Sequence, residues 1–275
     1  MPERVLPGHR VPGPWAIVRA ATRTAFADMR ATYTPLTWSV GWLGRILMQV
    51  TFFALIGLLL DDPGAVLYLF IGQAVMACVV EVFMSVPSTT WERFAGTMGL
   101  LVAAPGPLWP VFVGRSVQWL PSGIATAGIA LFALGPLFGV GWSLAGALGA
   151  FAMLVLTATT MYAVALFVAA LVLRGPRWRN VASNVSHTLV MLITGVTVPT
   201  LIWPAWLQVA GQGLPITHGL GAIRDLQAGT ADAGSLAVAA GAALGAGLVW
   251  FALAAVAFTA FAGSGRRDGS IDLQE

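Results

Sequence analysis

The sequence has no lysine: all 14 of its basic residues are arginine, a bias that fits a GC-rich genome. A P-loop that grips phosphates and a Schiff-base active site each need a lysine ammonium, so neither is open to this chain. Cysteine is almost as scarce. The one residue, Cys78, lies inside an apolar run, which excludes an intrachain disulfide and leaves the redox compartment open. Charge is sparse as well: 9% of residues are charged, where a soluble domain carries roughly 25%. Residues 1–14 are rich in Pro, Gly and Arg without an apolar stretch, and read as a cytoplasmic tail rather than a signal peptide. What is abundant is hydrocarbon, with 58% hydrophobic residues and a mean hydropathy of +0.84. This is the composition of an all-α membrane protein.

A helix needs about 20 apolar residues to cross a bilayer. Six stretches qualify, near 41–60, 65–87, 117–138, 143–173, 181–203 and 236–262, the fourth long enough to tilt. An even number of crossings puts both termini on one side, and arginine says which, because short cytoplasmic loops carry the basic excess. Arg4, Arg10, Arg19, Arg23, Arg30, Arg93, Arg115, Arg174, Arg177, Arg179, Arg266 and Arg267 fall on the side of the termini. The other side has Asp61, Asp62, Asp225 and Asp232 with only Arg224. Both termini are therefore expected in the cytoplasm. The chain divides into a tail (1–14), an N-terminal interfacial amphipathic helix (15–35), one transmembrane domain (36–265) and a second tail (266–275).

The interfacial helix follows from period. Between Trp15 and Tyr33, the residues Trp15, Val18, Phe26, Met29 and Tyr33 share a helical face interrupted by Thr22, and Arg19, Arg23 and Arg30 run along its edge. Arginines there reach lipid phosphates while their stems stay on hydrocarbon. The loop after the second span, "WERFAGTMGLLVAAPGPLWPVFVGR" (91–115), is far longer than a plain connector. Phe94, Met98 and Leu101 are spaced as one apolar helical face that stops before Pro105, and Leu108 starts another helix. The loop is expected to be a stiff knob facing the cytoplasm.

That loop resembles the one in ABC-2 type transporter permeases, approximately Glu-Arg-x-x-Gly-Thr-x-x-x-Leu-x-x-x-Pro followed by a basic residue at the third span. Glu92, Arg93, Gly96, Thr97, Leu101, Pro105 and Arg115 match in order. A second stretch, "GLPITHGLGAIRDLQAG", is similar to the family's Pro-Leu-Thr-x6-Arg-x4-Gly segment before the last span. Pro215, Thr217, Arg224 and Gly229 fill those places and Ile216 replaces the leucine. The resemblance implies a half-transporter in a bacterial inner membrane. It would pair with a second permease subunit, same or different, and with two copies of a separate ABC ATPase that holds ATP and Mg, the chain itself carrying no cofactor. It also implies that residues 91–115 form the coupling helix that docks on the ATPase, and that the segment before span six forms re-entrant external helices. The mostly apolar composition of 203–235 agrees with such helices, since backbone at membrane depth must satisfy its own hydrogen bonds. Arg224 and Asp225 read as a solvated or locally paired turn.

Inside the spans, Ser183, His187, Thr194 and Thr197 lie on one face of span five, as a packing stripe or as a lining of the substrate pathway or dimer face. A metal site at His187 is not expected, because His9 and His218 are the only other histidines and lie elsewhere in the chain. Arg45 and Glu81 stand at nearly equal depth on spans one and two, about 26 Å from the turn between them at 1.5 Å per residue, and are expected to pair or share a polar network. Nothing suggests a nucleic-acid partner; lipids are the other expected contact. The favoured cargo is an amphipathic small molecule (a drug, an antibiotic or a lipid-like product), from the near absence of charge and the many aromatic and Met side chains in the spans. The stretch "RATYTPLTWSVGWLG" departs from the Arg-Tyr-x-x-Ser-x-Leu-Gly of polysaccharide exporters. Export of a glycan or lipid-linked polymer is the alternative, and an intramembrane enzyme the reading from another class.

Overall fold

The computed structural model describes residues 13–104 and 106–268, and the regular structure among them is all helical. We number the helices α1 (Pro14–Thr32), α2 (Thr37–Leu59), α3 (Pro63–Val82), α4 (Ser85–Thr89), α5 (Trp91–Phe94), α6 (Met98–Ala103) and α7 (Trp109–Ser116). They continue with α8 (Trp119–Gly128, extended by wider π-helical turns to Leu134), α9 (Leu144–Val172), α10 (Arg179–Ile193), α11 (Ala205–Gln212), α12 (Pro215–Ala228) and α13 (Ala233–Asp268).

Helix starts follow local chemistry. Asp62 caps α3 by accepting from Gly64 N–H at 2.8 Å, with Pro63 in the first turn. Ser143 caps α9 through Gly146 N–H at 3.0 Å. The first seven residues of α2, Thr37–Leu43, are π-helical, a widened turn of the kind that often marks functional positions.

α3 and α9 are apolar almost all round, Gln73 and Glu81 of α3 excepted, and form the buried centre; α3 packs on α2 and α8, and α9 on α12 and α13. α2, α10 and α13 leave apolar flanks outside, including Met48, Phe52, Leu189, Leu248 and Val256, as surfaces meeting lipid or another subunit do. α1 lies along α7. At Gly114 a methyl group would fall 2.5 Å from the Ala21 side chain and 2.6 Å from the Val18 carbonyl, so the missing side chain sets this contact.

Among the described residues, five stretches are long and apolar enough to cross a membrane: Thr37–Leu59, Pro63–Phe94, Trp109–Phe138, Leu144–Val172 and Ala233–Gly265. The stretch expected to cross at 181–203 is not one continuous helix. Its helix has 15 residues and stops at Ile193, because Thr194 turns its hydroxyl back onto the Val190 carbonyl and Gly195 takes φ 81°. The single short helix expected around Phe94–Leu101 is also corrected: it breaks at Gly96, and Met98 is buried while Phe94 is exposed. On α1, Trp15 is exposed and Ala25 is buried, and Val18, Ala21 and Thr22 lie against Gly114 of α7. Most of the two tails, and Pro105, lie outside the described residues.

Candidate functional site

The loop motif begins with a helix end. In α5 the Gly96 N–H donates to the Arg93 carbonyl (3.2 Å) and the Thr97 N–H to the Glu92 carbonyl (2.9 Å), which is the Schellman pattern, with Gly96 at φ 69°. Glycine adopts this left-handed conformation without the Cβ clash that others meet. α12 ends the same way, with Thr230 N–H on the Asp225 carbonyl (3.0 Å), Gly229 N–H on Leu226 (3.4 Å) and Gly229 at φ 71°. The two motif glycines thus perform one task in two places.

The side chains of the motif then lock the loop. Glu92 accepts from the Thr97 hydroxyl and pairs with Arg115 Nε at 2.7 Å. The same guanidinium holds Asp28 of α1 through Nη1 at 2.6 Å. Arg93 reaches the Leu173 carbonyl at the end of α9 at 2.8 Å. Arg179, at the start of α10, lies 4.3 Å over the Phe94 ring. Leu101 is half-buried. One short loop is therefore tied to α1, α7, α9 and α10. Asp28 escaped the sequence reading, although it is the only acidic residue between Glu3 and Asp61 and was a signal for that reason.

A second cluster surrounds Glu81, which is fully buried. Its carboxylate accepts from Trp42 Nε1 (2.5 Å), Thr126 Oγ1 (2.9 Å) and Ser122 Oγ (3.0 Å), and Trp38 Nε1 donates onward to Ser122 (3.1 Å). Arg45 makes no ion pair with Glu81 among the described residues; its guanidinium sits 5.0 Å over the Trp42 ring. Trp42 stands between the two charges and joins them through its face and its N–H. A buried carboxylate with three donors has its charge met without a cation.

The third cluster is at Arg224, where the expected solvated turn is corrected. The residue is largely enclosed, with Nη1 on the Gly195 carbonyl (2.9 Å) and Nη2 on the Tyr68 carbonyl (2.9 Å) and on Val196 (3.4 Å). Its Cζ lies 3.6 Å over the Tyr68 ring. Pro215 opens α12, and Thr217 donates to the Gly211 carbonyl at 2.5 Å, folding α12 back on α11. Pro215, Thr217, Arg224 and Gly229 therefore all serve the α11–α12 segment.

The span-five stripe divides. Ser183 is buried and donates to the Phe83 carbonyl (3.0 Å), and Thr194 back-bonds within α10. Thr197 accepts from Gln73 of α3 (3.1 Å), while His187 meets only its neighbour Asn184 (3.3 Å). The structure does not gather these four into one site.

Five apolar helices with locked polar junctions, and a loop fastened at one end of the bundle, define a multi-pass membrane protein. The family profile for the ABC-2 type transporter matches residues 35–228, more than two-thirds of the 275 residues. The chain belongs to that family: it is the membrane-spanning permease of an ABC transporter, not itself the catalytic part, in a family that works with an ABC ATPase subunit. The match runs from just before α2 to the end of α12. No curated protein and no solved structure matches the chain.

Proposed function

We propose that this chain is one permease half of a bacterial inner-membrane exporter that moves an amphipathic small molecule outward, driven by two copies of a separate ATPase. A second permease, same or different, completes the complex, and ATP and Mg reside on the ATPase. The observation that carries this is the fastening of residues 91–104 to four helices, led by the Arg115 junction with Glu92 and Asp28. A docking knob passes on force only when it cannot yield against its own protein. The arginine bias favours cytoplasmic termini and a cytoplasmic knob. On this topology α10 and the broken stretch to Trp203 together make the fifth crossing, and α11 and α12 dip back from the outside. The small charge content of the spans supports the cargo class.

The test is reconstitution of the permease with its ATPase in vesicles. ATP hydrolysis stimulated by amphipathic compounds and accompanied by their transport is expected. Hydrolysis indifferent to every such compound, but stimulated by a lipid-linked glycan, would overturn the cargo assignment. ATP binding by the isolated permease would overturn the division of labour.

A further inference from the structure

We propose that the groove between α1 and α8 is a binding site for an anionic glycerophospholipid with a hydroxylated headgroup, such as phosphatidylglycerol. The groove encloses about 560 Å³ and takes its walls from the last turns of α1, the start of α2 and the α7–α8 junction. Phe26, Met29, Trp38 and Pro121 give it an apolar lining suited to an acyl chain.

Its polar groups point to the headgroup. Trp38 donates to Ser122, and Ser122 donates to Glu81. Thr34 and Thr37 satisfy each other. Two groups remain. Arg30 lies on the lining with no carboxylate beside it there. Gln118 is 3% exposed, also lines the groove, and its amide oxygen has no partner. An unmet buried acceptor costs stability until a donor arrives. A lone cation with an acceptor needs an anion that bears O–H groups. A phosphodiester on Arg30, with a glycerol hydroxyl donating to the Gln118 amide oxygen as the side chain turns that enclosed oxygen into the groove, meets both demands, and the acyl chain excludes water from the rest. The quaternary ammonium of phosphatidylcholine has no N–H for Gln118 and finds no carboxylate on the lining. The site depends on membrane insertion and not on the cargo.

The experiment is native mass spectrometry of the full chain, delipidated and exposed to phosphatidylglycerol, phosphatidylcholine or soluble glycerol phosphate. Wild type should retain phosphatidylglycerol about fivefold over phosphatidylcholine, the effect of one basic residue at an anionic lipid. Arg30→Gln should abolish that preference, Gln118→Leu should weaken phosphatidylglycerol retention, and glycerol phosphate should fail to bind. Arg19→Gln, on the same helix away from the groove, should behave as wild type. Equal retention of both lipids by wild type, an unchanged preference in Arg30→Gln, or an equal loss in Arg19→Gln would overturn the proposal. So would glycerol phosphate binding as well as the lipid.

Discussion

Gly96 has open space around it: nothing lies within 4 Å of where a Cβ would stand. Its requirement is conformational alone. Gly96→Ala should therefore cost about 1 kcal/mol, the left-handed penalty without a clash, and Gly96→Val more. Both should insert normally and lower the ratio of cargo moved to ATP hydrolysed. Glu92→Lys attacks the same unit by charge, placing a cation against Arg115 and leaving Asp28 as the guanidinium's only ion-pair partner. Wild-type coupling in both Glu92→Lys and Gly96→Val would show that the fastening of the loop is irrelevant to drive. At Glu81 the geometry makes a sharper forecast. Trp42→Phe and Glu81→Gln share a hydrogen bond, so their thermal-stability losses in detergent should be non-additive by about 1 kcal/mol. Arg45→Met with Glu81→Gln should come close to additive, because the two charges do not touch. The reverse ranking would mean that Trp42 is not the link.

At the scale of elements, what was legible depended on what each signal measures. Long apolar runs gave α2, α3, α9 and α13 because burial in lipid demands length. The run at 181–203 reads as one unbroken helix because hydropathy does not register a backbone that turns at Thr194 and Gly195. Period placed Phe94 and Met98 on one face, but a left-handed glycine between them resets the helix phase. Sequence spacing put Arg45 and Glu81 at one depth, yet depth leaves azimuth free, and the indole of Trp42 fills the gap. Contacts made by small residues were invisible, since their signal is the absence of a side chain. The packing of α12 on α9 is of that kind: a methyl at Gly219 would meet Thr157 Oγ1 at 1.8 Å. Gly219→Ala should destabilise the detergent-solubilised protein by about 1–3 kcal/mol, the usual range for overpacking, and Thr157→Ala should recover part of it. No recovery in the double variant would place the cost elsewhere.

For the whole molecule, the sole cysteine is an advantage, because Cys78 is fully buried and should not react with aqueous maleimide. Single cysteines at Asp62, Thr230 and Arg177 then report sidedness in intact cells. Those at 62 and 230 should react with an impermeant reagent from outside, and that at 177 only after the membrane is opened. Labelling of 177 in intact cells would invert or break the proposed six-crossing arrangement.

The early stop of α10 has a mechanical consequence. Fifteen residues rise about 22 Å at 1.5 Å each, which falls short of a hydrocarbon core of about 30 Å. Just past its end, the carbonyls that a further turn of helix would satisfy are met by Arg224, a side chain lent by α12. The guanidinium stands in for peptide N–H groups that the chain does not supply. α10 cannot tilt away from α12 without stripping those carbonyls in a medium with no water to replace the bond. Arg224 therefore ties the chain leaving α10 to α12, a helix whose own packing is on α9 and α13, so a strain at the end of α10 is passed through one side chain to the buried centre of the bundle.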